Sequence, residues 1–214
     1  MDIKGLIFDL DGVIVFTDKF HYQAWKKIAD ELGIYFDKKI NNRLRGVSRM
    51  DSLEIILERY EGPELSQAEK VCLAERKNEV YREFLKTMTP EDVSDKVRNT
   101  LSELHKRGYK LAIGSSSKNA RYILEKVDLI NVFDAISDGT NITKSKPDPE
   151  VFLKGAEFLN LVPEKCMVVE DAQAGIQAAK SGGMYAAGIG EAAKDKMADV
   201  KLAEFSDLLE ICKG

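Results

Sequence analysis

The chain has 214 residues, enough for one large domain or two small ones and for a sizeable core without disulfide or metal staples. Hydrophobic residues make up 44%, charged residues 32%, and the formal net charge is −4, which describes a soluble globular protein and gives no sign of nucleic-acid or membrane affinity. No apolar run is long enough to span a bilayer, the N-terminus lacks the pattern of a signal peptide, and the three cysteines (Cys72, Cys166, Cys212) show no CxxC spacing; a reducing, cytoplasmic location is expected.

In chain order, residues 4–12 come first. The apolar run Leu6-Ile7-Phe8 ends in two carboxylates, Asp9 and Asp11, and Gly12 breaks it. Such a run predicts a buried strand, central in a parallel sheet, with its acids where open α/β sheets bind ligands. Strand alternation would point Asp9 and Asp11 to the same side. Two ionised carboxylates that close repel, so a cation or a shared proton is expected, and Mg²⁺ suits oxygen ligands of this kind. A solvated strand-to-loop turn accounts for the same residues on their own.

Helical patterning follows, without a convincing strand. Residues 21–32 place Trp25, Ile28, Ala29 and Leu32 on one face, with Gly33 as a stop. A second helix is predicted over 51–60. A third opens at Ser66-Gln67-Ala68-Glu69, a capping-box pattern, and runs through Phe84. From Thr89 onward the pattern alternates. Helices are predicted over 97–107, 119–127, 148–160, 172–181 and 206–212, and strands over 109–114, 133–137, 166–169 and 185–189. The expected fold class is α/β: a doubly wound, Rossmann-like parallel sheet core (1–16 and 89–214) with an inserted α-helical bundle cap (17–88). Hinges are expected near Thr17 and residues 88–90.

Three further stretches follow strand ends. Gly114-Ser115-Ser116-Ser117-Lys118-Asn119 opens a helix, where free amides, hydroxyls and a lysine suit phosphate; an ordinary serine cap is the alternative. Lys144-Ser145-Lys146-Pro147-Asp148 precedes another helix and reads equally as a solvated turn. Glu170-Asp171 ends the run Met167-Val168-Val169 and repeats the logic of the first acidic pair.

Taken together, Asp9-Leu10-Asp11-Gly12, Ser115, Lys146 and Glu170-Asp171 fall in the order of the four motifs of the haloacid dehalogenase superfamily of phosphotransferases, which the chain resembles over essentially its whole length. The resemblance implies Asp9 as nucleophile forming an aspartyl-phosphate, and Asp11 as general acid and base. It implies Mg²⁺ held by Asp9, the backbone carbonyl of Asp11, Glu170 and Asp171, with Ser115 and Lys146 on the transferring phosphoryl oxygens.

Within that superfamily the stretch Leu44-Arg45-Gly46-Val47-Ser48-Arg49-Met50-Asp51-Ser52 resembles the cap loop of β-phosphoglucomutases, as do Glu75-Arg76-Lys77-Asn78 and residues 115–119 and 170–178. Those enzymes interconvert β-glucose 1-phosphate and glucose 6-phosphate through a recycled β-glucose 1,6-bisphosphate. The resemblance implies a remote phosphate site of Arg49, Ser117, Lys118 and Asn119, with Ser116 also on the substrate side, and backbone contacts to the sugar from Gly46 and Val47. It places Thr17 and His21 beside Asp11, and Arg45 and Lys77 toward the substrate. Two positions depart from that pattern: Arg45 stands where lysine is usual, and Phe16 where aspartate is usual. His105 and Trp25 are expected at a helix surface and in the core. The expected partner is a small hexose phosphate, with no nucleic acid or membrane, and a monomer is the default state. A sugar-phosphate phosphatase of the same superfamily is the first alternative. A dehalogenase leaves Asp11 and the second acidic pair without a task. A non-catalytic phosphosugar-binding regulator has no need of Asp9 beside Asp11.

Overall fold

A computed structural model describes residues 1–213. The chain opens with β1 (Gly5–Phe8), all four residues buried, as an apolar run flanked by strands on both edges must be. Helices α1 (Asp18–Glu31), α2 (Lys38–Asn42), α3 (Arg49–Leu57) and α4 (Gln67–Leu85) follow before the chain returns to the sheet. Strands and helices then alternate: α5 (Asp95–Lys106), β2 (Lys110–Gly114), α6 (Ala120–Lys126), β3 (Ala135–Ser137), α7 (Glu150–Phe158), β4 (Cys166–Glu170), α8 (Gln173–Ser181), β5 (Tyr185–Ile189), β6 (Val200–Leu202) and α9 (Leu208–Ile211). All the strands pair in parallel, in the order β3-β2-β1-β4-β5-β6. This is the doubly wound, Rossmann-like sheet. Its direction of winding reverses between β1 and β4, and the crevice beyond their carboxyl ends is where such sheets bind ligands.

Strand alternation builds a core on each face of the sheet. Leu6 and Phe8 pack with Leu111, Ile113, Met167 and Val169, under Leu101 and Leu104 of α5 and Ile123 of α6. Ile7 faces the opposite way, with Ala112 and Val168, under Phe152 of α7 and Ile176 of α8. Helices α1 to α4 have a core of their own, centred on Trp25, Ile28, Leu53 and Ile56. Each of these four is essentially fully buried, worth roughly 1.5–3 kcal/mol apiece for the aliphatic ones. Tyr81 and Leu85 at the end of α4 belong to the sheet's cluster instead, so the helical insert is tied to the sheet at that end.

Several boundaries differ from the sequence expectation. Helix α1 starts at Asp18 rather than residue 21, because Thr17 already occupies the N-cap. Helix α3 starts at Arg49 rather than residue 51. Ser48 caps it, its Oγ accepting from Asp51 N at 3.1 Å, so Arg49 is a first-turn residue and not a loop residue. Helix α7 starts at Glu150, whose N–H donates to Asp148 Oδ1 at 3.0 Å. The short α2 and the three-residue edge strand β6 offer too few residues for a period to show. Trp25 is buried and His105 lies on an exposed flank, its Nε2 2.8 Å from Val132 O. Cys166 and Cys212 are buried thiols, while Cys72 is exposed. Among the described residues no helix is long and apolar enough to cross a membrane.

Candidate active site

Strand β1 ends at Phe8, so Asp9 and Asp11 lie in the turn beyond it and the two-residue alternation no longer governs them. Asp9 is still anchored to the sheet, its N–H donating to Val169 O at 2.9 Å. The two acids have different partners. Asp9 Oδ1 accepts from the buried Lys146 ammonium, which also donates to Glu170 Oε1 at 2.5 Å. The Thr17 hydroxyl donates to Asp11 Oδ1, and His21 Nε2 lies 3.8 Å from Asp11 Oδ2. The two acids are thus partnered separately: a lysine on one, a hydroxyl and an imidazole on the other.

Glu170 ends β4, and Asp171 follows it on the opposite lip of the crevice. Ligand oxygens of Asp9, Glu170 and Asp171 all lie within 4.8 Å of one another. That crowding shows in their acidity. Burial pushes the Asp9 carboxyl well above its ordinary range, with Glu170 and Asp171 adding to the rise against the pull of Lys146. Burial, followed by the charge of Glu170, pushes Asp171 up to about 7. Burial alone would lower the Lys146 ammonium, but Asp9 and Glu170 hold it above its usual value. Asp11 goes the other way: burial would raise it, yet the contacts with His21 and Thr17 bring it below the usual carboxylate value. Gly12 makes the pocket possible. Its φ is +89°, and a Cβ there would lie 2.1 Å from Asp171 Oδ2. Three buried or half-buried carboxylates, met by Lys146 on one side and Arg45 on the other, form a hard, oxygen-only donor set, which fits a divalent cation such as Mg²⁺.

Across the crevice, Ser115 is buried at the end of β2, and its Oγ accepts from Ser117 N at 3.2 Å. Ser117 Oγ in turn accepts from Asn119 N at 3.1 Å. Ser116 Oγ is buried without a hydrogen-bond partner, and Lys118 is exposed. Gly46, at φ +76°, brings the 43–48 segment against the β4–α8 turn, where an added Cβ would meet Ala174 Cβ at 3.5 Å. Beside it, Arg45 donates to Asp171 Oδ2 at 3.2 Å and lies 3.5 Å from Asp18, with its Nε buried and unpartnered. Val47 is half-buried in the same segment.

Lys77 is 3% exposed, although it carries an ammonium. Its Nζ sits 2.8 Å from His21 Nδ1 and over the rings of Tyr81, at 4.5 Å, and Trp25, at 5.1 Å. Burial, reinforced by the charge of Arg49, lowers its pKa to about 7. Burial, then the charge of Lys77, likewise lowers His21. Arg49 Nη2 donates to Asn78 Oδ1 at 2.9 Å, and the same oxygen accepts from Asn119 Nδ2 at 2.9 Å. Among the described residues Arg49 has no ion-pair partner. Asp11 acts on Lys77 and Glu75 on Arg49 only through space, so among the described residues a lysine and an arginine stand near one another with no ion pair to either.

The structure thus gathers Asp9, Asp11, Thr17, His21, Ser115, Lys146, Glu170 and Asp171 at the crevice, and brings Arg45, Arg49, Lys77 and Asn119 to its rim. Phe16 is exposed. Sequence reasoning gave no role to Tyr81, whose hydroxyl lies 2.9 Å from Thr17 Oγ1, and named Asn78 only within the stretch Glu75-Arg76-Lys77-Asn78. Both sit on α4 next to, or one turn beyond, Lys77, and that spacing was the available signal.

The family model for haloacid dehalogenase-like hydrolases matches residues 3–183. The β-phosphoglucomutase of Bacillus subtilis (strain 168) is 43% identical over 96% of this chain and 92% of its own. A phosphorylated carbohydrates phosphatase of Thermotoga maritima is 33% identical over 85% of this chain and 82% of its own. The crystal structure of a β-phosphoglucomutase from Clostridium difficile superposes with a TM-score of 0.91 at 37% identity, covering 99% of this chain and 96% of that one. Motif order, sheet topology and full-length similarity agree, and the chain belongs to the haloacid dehalogenase-like hydrolase family.

Proposed function

We propose that this protein is a Mg²⁺-dependent β-phosphoglucomutase, interconverting β-glucose 1-phosphate and glucose 6-phosphate through β-glucose 1,6-bisphosphate. The observation that carries this reading is the pair Arg49 and Lys77, buried or half-buried without an anion and separate from the Asp9 carboxylate. A mutase must hold a second phosphate while the first one reacts, and this cation pair offers a place for it. A phosphatase acting on a monophosphate has less need of it. The phosphatase reading keeps one specific support, the T. maritima relative named above.

In this reading Asp9 attacks phosphorus and becomes the aspartyl-phosphate, with Lys146 holding its Oδ1 in place. Ser115 and Lys146 orient the phosphoryl oxygens. Asp11, kept ionised by Thr17 and His21, takes the proton of the attacking sugar hydroxyl and returns it to the leaving oxygen. Asp9, Glu170, Asp171 and the Asp11 carbonyl would hold Mg²⁺, whose charge offsets the repulsion between these carboxylates and an incoming phosphate. Arg49, Ser117, Lys118 and Asn119 receive the remote phosphate, with Lys77 beside Arg49 facing the substrate, Ser116 in the same loop, and Gly46 and Val47 meeting the sugar. Residues 17–88 act as a cap over a core of residues 1–16 and 89–214, hinged near Thr17 and residues 88–90. The protein works as a cytoplasmic monomer. The test supplies Mg²⁺, β-glucose 1-phosphate and a trace of bisphosphate, then follows glucose 6-phosphate against free phosphate. Glucose 6-phosphate is the expected product. Phosphate release without isomerisation would refute the mutase reading.

A further inference from the structure

We infer that Asn78 is a positioning residue for the second phosphate, holding the cap's arginine and the core's asparagine in register through one shared oxygen. The inference rests on the remote-phosphate reading given above. Asn78 Oδ1 accepts from Arg49 Nη2 and from Asn119 Nδ2, both at 2.9 Å. Arg49 opens α3 and Asn119 caps α6, and their partner sits on α4. One carbonyl oxygen thus uses both lone pairs to join three elements across the joint between helical insert and sheet.

The same face of α4 is seated on α6 a turn further along. Arg82, four residues after Asn78, lies over the ring of Tyr122, 5.4 Å from its centroid, and Tyr122 is three residues after Asn119. The contact adds a second point at which α4 meets α6, beside the Asn78–Asn119 hydrogen bond.

The chemistry of the acceptor matters as much as its place. An amide oxygen orients a guanidinium without neutralising it. Glu75, also on α4, acts on the Arg49 charge through space but forms no ion pair with it among the described residues. Arg49 therefore keeps its charge while its direction is set. A carboxylate at position 78 would bond equally well but compete with phosphate for the same cation. The amide thus makes Asn78 both a geometric and an electrostatic determinant.

The experiment uses the full chain with Mg²⁺ and the Asp9→Asn background, which prevents turnover, and measures glucose 6-phosphate affinity by calorimetry. Asn78→Ala should weaken binding on the order of tenfold, the scale of a lost hydrogen bond to a charged group. Asn78→Asp should leave the melting temperature close to that of the parent yet bind glucose 6-phosphate at least as weakly as Asn78→Ala. With Asp9 intact, the loss caused by Asn78→Ala should fall more on KM than on kcat. It should also exceed the loss on hydrolysis of a small aryl phosphate. Binding within twofold of the parent for Asn78→Ala, or parental affinity restored by Asn78→Asp, would overturn the inference. A chain that shows the tenfold loss but no isomerisation would refute the mutase reading and still support Asn78 as the register of a phosphate site.

Discussion

Burying Lys77 among Trp25, Tyr81 and His21 sets a charged amine where, among the described residues, no acid pairs with it directly and Asp11 acts on it only through space. Its pKa of about 7 in the fold lies below the ordinary lysine value of 10.5, so unfolding takes up a proton between those two pH values. The penalty is therefore complete below pH 7 and fades as the pH rises toward 10.5. At 1.36 kcal/mol per unit it amounts to roughly 4–5 kcal/mol. Replacing Lys77 by Met should accordingly raise stability. Its advantage over the parent should be largest near pH 6 and shrink toward pH 9 in paired denaturant titrations, while glucose 6-phosphate binding weakens. A pH-independent difference would show that the ammonium is not strained in the fold. Sequence alone placed Lys77 toward the substrate only through family likeness. Its burial depends on Tyr81 and Trp25 closing around it, which no local pattern encodes.

On the proposed function, substrate recognition turns on the segment before α3. Ser48 caps the helix, Arg49 is its first residue, and Gly46 supplies the left-handed turn that leads in. The Ser48-x-x-Asp51 spacing that fixes this helix start was present in the sequence, where the apolar residues at 53, 56 and 57 drew the boundary to 51 instead. Gly46→Ala should cost about 1–2 kcal/mol, because an L-residue at φ +76° is strained although the space beside Ala174 admits a methyl group. The variant should melt a few degrees lower and bind glucose 6-phosphate less tightly, as the Gly-Val-Ser-Arg backbone shifts. An unchanged melting temperature together with unchanged affinity would remove the turn from the account. The strands were the easier part. Leu6-Ile7-Phe8 and Met167-Val168-Val169 are apolar because they pair on both edges, and their ends carry the acids because chain direction puts them at the crevice.

At the scale of the whole molecule, the helical insert meets the sheet through the apolar Tyr81 and Leu85 and through a set of polar contacts. The sheet holds Asp9, Lys146, Glu170 and Asp171 rigidly, and the helical insert brings Arg45, Arg49, Lys77 and Asn78 to the opposite wall. The order of the elements and the inserted helices followed from periodicity and turn residues. The contacts across the joint, from Arg45 to Asp171 and from Asn78 to Asn119, span 126 and 41 positions, and long-range pairing of this kind leaves no local trace. Closing the joint over a bound sugar would exclude water from Asp9 and leave a sugar hydroxyl as phosphoryl acceptor. The most direct test is therefore a single-turnover partition. The enzyme is loaded at Asp9 with labelled phosphoryl from a small acyl phosphate in Mg²⁺, then mixed with glucose 6-phosphate or with buffer alone. A mutase delivers most of the label to a hexose bisphosphate when the sugar is present. Label released as free phosphate, at a rate indifferent to the sugar, would contradict it.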